Sequence, residues 1–139
     1  EKHFIFTGLI PPGDVPRYVG IVDALVHLSR REGLPRALSQ TLAAGKPVVA
    51  YDCDGAKEIC LPNETGFLIR PGDTADLTEK LIQLAEDPAL RKKLGNRGQA
   101  IVKESFSVER MVEEIYQLYM KLESNLERAK PAANRLSTA

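Results

Sequence analysis

The sequence has no tryptophan, and only two cysteines and two histidines among its 139 residues. Two thiols, Cys53 and Cys60, cannot staple a domain of this length, and no Cys/His set has zinc-finger spacing. They read as reduced core or near-core thiols of a cytosolic protein. Charge of one sign is also lacking, since 19 Lys+Arg balance 19 Asp+Glu. That balance argues against a nucleic-acid binder working through a broad basic field. No apolar run approaches the roughly 18–20 residues of a membrane span. The opening Glu1-Lys2-His3 reads as the start of a strand rather than a leader. What is present is an ordinary globular mixture, 43% hydrophobic and 27% charged, of a length suited to one domain.

Short apolar runs alternate with helical patterns along the chain. His3-Phe4-Ile5-Phe6-Thr7-Gly8 reads as a first buried strand, Ala24-Leu25-Val26-His27-Leu28 as a second, Val48-Val49-Ala50-Tyr51 as a third and Gly66-Phe67-Leu68-Ile69-Arg70 as a fourth. Helices are predicted from Val15 to Val22 and from Pro35 to Ala44, the latter closed by Gly45. Asp73 is placed as the N-cap of a helix lined by Leu77, Leu81, Ile82 and Leu84, and Asp87-Pro88 as the start of the next. Gly95 and Gly98 are expected to weaken that helix, and a split there is left open. Ser107 opens a last helix with the stripe Val108, Met111, Val112, Ile115, Leu118, Tyr119, Leu122 and Leu126. Its polar opposite face suggests packing against protein rather than membrane insertion. Residues 1–130 are expected to form one domain and 131–139 a polar tail. The pattern predicts an α/β fold, a Rossmann-like parallel sheet with helices on both faces, whose ligands bind beyond the carboxyl ends of the strands.

The junction Ser29-Arg30-Arg31-Glu32-Gly33-Leu34-Pro35 is the most informative stretch. Here a strand ends, a carboxylate and a glycine fill the connection, and a helix begins. Free peptide N–H groups at a helix start attract anions, and Gly33 lets a ligand approach the backbone. A carboxylate beside such a site is wrong for phosphate alone. It suits a ligand whose hydroxyls donate to Glu32 while the amides take its phosphates. Gln40, expected about two helical turns on, can reach another polar group of the same ligand. The plainer alternative is that Glu32 only complements the helix dipole and Gln40 is solvated.

An ordered set of motifs then resembles one family. Glu32-Gly33-Leu34-Pro35, Ala43-Ala44-Gly45-Lys46-Pro47-Val48-Val49-Ala50, Asp54-Gly55-Ala56-Lys57-Glu58, Thr65-Gly66-Phe67-Leu68 and Pro71-Gly72-Asp73 follow in sequence. Asp87-Pro88-Ala89-Leu90-Arg91, Leu94-Gly95 and Phe106-Ser107 continue the set. Together, from about Phe4 to Tyr119, they resemble the C-terminal, donor-binding half of the group 1 (family 4) retaining glycosyltransferases of the two-Rossmann-domain, GT-B kind. Many members assemble lipopolysaccharides and polysaccharides. The resemblance implies that Glu32 binds hydroxyls of the donor sugar and is essential to transfer. It implies that Gly33, Leu34 and Pro35, beside Ser29, form the loop meeting sugar and diphosphate, and that Leu9 and Ile10 read the nucleobase. The family has a second Glu where this chain has Gln40, whose amide can still bond ribose hydroxyls but loses the charge-assisted bond. Leu28 stands where many members have Pro.

The resemblance further implies a UDP- or GDP-sugar or similar substrate, no cofactor and no bound metal, so Asp52, Asp54 and Glu58 read as a loop lining the donor cleft. The acceptor, a sugar, a lipid or another group, would be held by an N-terminal domain not found here. The strands that would separate the Phe4 strand from the Ala24 strand are also missing. The chain is therefore expected to be an inactive fragment, or to pair its open sheet edge with another copy. The expected setting is cytoplasmic, with membrane contact left to the absent half. Alternatives are a non-catalytic α/β interaction module, kept open by Gln40, and an epimerase or phosphorylase of the same fold. Asn63-Glu64-Thr65 matches a glycosylation sequon and is read as a turn.

Overall fold

The computed structural model describes residues 2–133. The chain divides into two compact units, Glu1–Glu104 and Ser105–Ala139. In the first unit the elements run α1 (Val15–Ile21), β1 (Leu25–His27), α2 (Arg36–Ala43), β2 (Val48–Tyr51), α3 (Ala56–Ile59), β3 (Gly66–Ile69), α4 (Thr74–Glu86) and α5 (Pro88–Ser105). The second unit carries α6 (Val108–Ala133). Residues 131–133 of the expected tail belong to this helix, and 134–139 lie outside the described residues. Among the described residues, no helix is long and apolar enough to cross a membrane.

The three strands form one parallel sheet in the order β1-β2-β3, with Leu25 opposite Val48 and Val48 opposite Gly66. Period-two alternation sends each strand's side chains to two separate cores. Val48 and Ala50 join Leu38, Leu42, Ala56, Ile59, Cys60 and Val102 on one face. Val49, Phe67 and Ile69 join Leu84 and Leu94 on the other. Burial of each large aliphatic side chain contributes about 1.5–3 kcal/mol, so the central strand, apolar on both faces, anchors the unit.

The first expected strand does not form. Residues 3–8 have no regular structure, and Phe4, Ile5 and Phe6 are 71%, 92% and 90% exposed. A strand exists only through its neighbours' hydrogen bonds, and among the described residues β1 pairs with β2 alone. The local pattern was β-like, but no ladder reaches it.

Helix boundaries follow local chemistry more closely. The Asp73 carboxylate accepts the Asp76 N–H at 3.0 Å, and the Asp87 carboxylate accepts the Leu90 N–H at 2.8 Å. The Ser107 hydroxyl accepts the Arg110 N–H at 3.2 Å at the start of α6. The Arg91 guanidinium donates to the carbonyls of Leu84 and Ala85, satisfying the end of α4. The apolar stripe of α6 is exposed, with Met111 at 54% and Leu122 at 49%.

Gly95 and Gly98 do not split α5, which is continuous. A Cβ on Gly95 would lie 2.0 Å from the Gly45 carbonyl oxygen, and one on Gly98 would lie 2.4 Å from Leu42 Cδ2. These glycines let α5 approach the end of α2 closely, and the packing gained outweighs their low helix propensity. The Gln99 amide donates to the Ala43 carbonyl at 2.8 Å across the same contact. The sequon folds as a turn: Thr65 is fully buried, its hydroxyl accepting the Leu61 N–H and donating to the Ile59 carbonyl.

Candidate functional site

Two loops meet at the carboxyl rim of the sheet. One runs from the end of β1 through Ser29 to Pro35, and the other follows β2 through Asp52 to Gly55. Pro35 keeps the residue before it out of helical backbone, so α2 starts only at Arg36 and residues 32–35 stay outside the helix. Gln40 is consequently the fifth residue of α2, just over one turn in rather than the expected two.

Three contacts join the loops. The Glu32 N–H donates to Asp54 Oδ2 at 3.0 Å. Asp54 holds this position with φ of 43°, a left-handed backbone that aspartate tolerates better than most residues. The Cys53 thiol donates to the Ser29 carbonyl at 3.2 Å. Gly55 is buried against the other loop so closely that a Cβ there would sit 1.9 Å from the Gly33 carbonyl oxygen. The sequence pattern assigns Asp54, with Asp52 and Glu58, to the cleft lining and does not reveal that Asp54 and Gly55 set the height of the Glu32 loop. The Asp-Gly pair directly after a strand was the available signal.

Glu32 faces outward at this rim, its side chain 40% exposed. Its carboxylate Oε1 lies 3.4 Å from His27 Nε2, at the end of β1. That approach is an ion-pair distance without hydrogen-bond geometry, and Nε2 is buried with no hydrogen-bond partner. Gly33 is exposed, with open space where a side chain would stand, and among the described residues no backbone hydrogen bond occupies the N–H of Gly33 or Leu34. Leu34 is 46% exposed and Pro35 is buried. Ser29 is half-buried, and its hydroxyl lies 3.4 Å from the Arg31 carbonyl. Ser29, Glu32, Gly33, Leu34 and Pro35 thus share one loop, with a carboxylate and two free amides at its edge.

The remaining expected residues belong to other segments of the chain. Gln40 lines a 370 Å³ groove between α1 and α2, with Pro12, Val15, Pro16, Val19, Ala43 and Ala44. Leu9 is fully exposed and Ile10 half-buried in a stretch without regular structure, and neither lines the groove. Among the described residues no group of three or more His, Cys, Asp or Glu could hold a metal ion. Cys60 lies in the core, where burial pushes its thiol up to about 12 against the smaller lowering influence of the neighbouring Thr65 side chain, so it is inert as a nucleophile.

The parallel sheet with helices on its faces defines an α/β architecture, and comparison with known proteins identifies the family. The profile of the glycosyl transferases group 1 matches residues 1–101. The chain belongs to that family. It is 36% identical to EpsD of Bacillus subtilis (strain 168) over 127 residues, which is 89% of this chain and 32% of EpsD. Among solved structures it is similar to the sucrose-phosphate synthase of Thermosynechococcus elongatus, with a TM-score of 0.81 and 28% identity over 87% of this chain and 30% of that one. It is also similar to Anabaena Alr3699/HepE in complex with UDP-glucose, with a TM-score of 0.73 and 28% identity over 78% and 30% of the two chains. These neighbours are GT-B glycosyltransferases, and the sheet here matches part of their fold. The chain spans about a third of the length of the curated relatives it matches.

Proposed function

We propose that this chain supplies the donor-binding part of a retaining glycosyltransferase, which moves a hexose-type sugar from a nucleoside diphosphate to an acceptor sugar or lipid. The observation that carries the reading is the pairing of the Glu32 carboxylate with the unoccupied N–H groups of Gly33 and Leu34 on one open loop. Sugar hydroxyls would donate to the carboxylate. The two amides and the start of α2 would face the diphosphate, whose charge grows as the glycosidic bond breaks. Gln40 would bond the ribose, and Leu9 and Ile10 would meet the base. HepE, a relative of the same fold, is described in complex with UDP-glucose, which supports this class of ligand. Rate would come from positioning and from closure of a second domain over the donor, with no resident metal or cofactor in the reaction. On this reading the 139-residue chain binds donor but transfers no sugar alone. We place the whole protein in the cytoplasm, with any membrane contact on the acceptor side.

Calorimetry or saturation-transfer NMR with UDP, GDP and their glucose conjugates tests it. Glu32→Ala removes about one or two charge-assisted hydrogen bonds, so affinity for the bound nucleotide sugar should fall roughly 10- to 100-fold while the bare nucleotide is unaffected. Equal affinity of wild type and variant for the sugar conjugate would refute the assignment. The substitution of glutamine at position 40 favours a second reading, a non-catalytic module of the same fold. That reading predicts no nucleotide-sugar binding even by a longer form containing the acceptor domain.

A further inference from the structure

His27 has an unexplained side chain. It ends β1 and, two residues beyond Leu25, shares that residue's face of the sheet, the side covered by α2. The strand's neighbouring positions there are filled by apolar residues. An imidazole in such a place requires a partner, because a buried nitrogen without one costs about 1–3 kcal/mol. Nε2 is buried and makes no hydrogen bond, and the acceptor it faces is Glu32 Oε1 at 3.4 Å. That separation exceeds the 2.7–3.2 Å range of a formed N–H···O bond. The carboxylate is 40% exposed and the imidazole 21%, so the outer group has room to turn toward the inner one.

We infer that His27 is a positioning residue for Glu32, donating its Nε2–H to Oε1 so that the other carboxylate oxygen is presented to the hydroxyls of a bound sugar. The inference rests on the donor-sugar reading of Glu32. The other connection of Glu32 across the rim, the N–H bond to Asp54, fixes its backbone and leaves the side-chain torsions open. A donor rising from the strand beneath is what restricts them. Two sugar hydroxyls donating to a carboxylate with free torsions must order it as they bind, whereas a carboxylate already held on one oxygen loses less freedom. His27 therefore acts on recognition of the sugar and not on the nucleotide, and it touches no ligand atom itself. A histidine present only to fill the space under the loop would have the opposite signature, loosening the loop and weakening both ligands alike.

The test uses the complete 139-residue chain with UDP-glucose, GDP-glucose and the two bare diphosphates. His27→Phe, with melting confirmed to remain cooperative, should weaken the nucleotide sugar about tenfold and leave the bare nucleotide unchanged. His27→Gln, whose amide reaches a similar position with a donor, should recover most of that loss. A ligand-free readout accompanies it: the imidazole ¹⁵N–¹H spectrum at alkaline pH should show His27 with the proton on Nε2, and Glu32→Ala should shift that signal. Loss of sugar binding in Glu32→Ala but not in His27→Phe would overturn the inference and leave the donor reading standing. An equal loss for sugar and bare nucleotide in His27→Phe, or a His27 spectrum indifferent to Glu32→Ala, would also overturn it. Wild-type protein that binds neither conjugate would sink the donor reading, and the inference with it.

Discussion

Gly55→Ala should destabilise the first unit and lower the Glu32 loop's hold on the rim, for a reason unrelated to glycine's flexibility. The backbone at Gly55 has φ of −78° and ψ of 0°, which alanine adopts without strain. Taken alone, the change would stabilise by about 0.4–1 kcal/mol through the unfolded chain. The added methyl, however, would stand 1.9 Å from the Gly33 carbonyl oxygen, 2.9 Å from its carbon and 3.3 Å from Leu34 Cα. These are backbone atoms, so no side-chain rotation relieves the overlap, and the loop must retreat by about 1.5 Å to reach ordinary contact. Overpacking of this kind costs about 1–3 kcal/mol. The same retreat breaks the 3.0 Å bond from the Glu32 N–H to Asp54, adding about 1.5 kcal/mol for a charged acceptor. The net loss is about 3 kcal/mol, roughly 12–24 °C in melting temperature for a unit of about a hundred residues. Circular dichroism on heating, and urea titration, measure it. Gly33→Ala is the control: nothing lies within 4 Å of its Cβ, so only the unfolded-chain effect remains and stability should hold or rise by up to about 1 kcal/mol. If the two variants melt together at the wild-type temperature, the close approach of the loops does not exist in solution.

Other consequences follow from single groups. The Cys60 thiol, pushed up to about 12 by burial, keeps its proton in the folded chain above the pH at which the unfolded thiol, near 9, ionises. Its contribution is therefore complete below about pH 9 and is lost as pH rises toward 12, by up to about 1.4 kcal/mol per pH unit, and Cys60→Ala should show a flatter alkaline loss in denaturant titrations. Matching slopes for variant and wild type would contradict the burial of this group. Asp73→Ala removes the acceptor of the Asp76 N–H and should cost about 1 kcal/mol in urea unfolding, whereas Asp73→Ser should retain most of it. A loss of the same size in both variants would mean that the aspartate acts through something other than the cap.

Part of this protein is legible in its sequence. Asp73, Asp87 and Ser107 mark helix starts because a cap is a bond between residues three apart, written in neighbouring positions. Val48–Tyr51 and Gly66–Ile69 are strands because runs apolar on both faces must be buried on both. The motif order from Glu32 to Ser107 carried the family, and the loop from Ser29 to Pro35 was found as the rim it forms.

Tertiary structure alone decided the rest. His3–Gly8 has the composition of a strand, but pairing belongs to neighbours, and no neighbour reaches it among the described residues. Gly95 and Gly98 look like helix breakers until α5 is seen against Leu42 and Gly45. The contacts of Glu32 with Asp54 and of Gly55 with Gly33 span about twenty positions, a separation that local propensity does not register. His27 and Glu32 are close in sequence, yet a strand end and a loop turn had to be built before one could face the other. Short-range bonds and hydrophobic alternation are encoded where they act, whereas the distance between two loops depends on everything that stacks the strands beneath them.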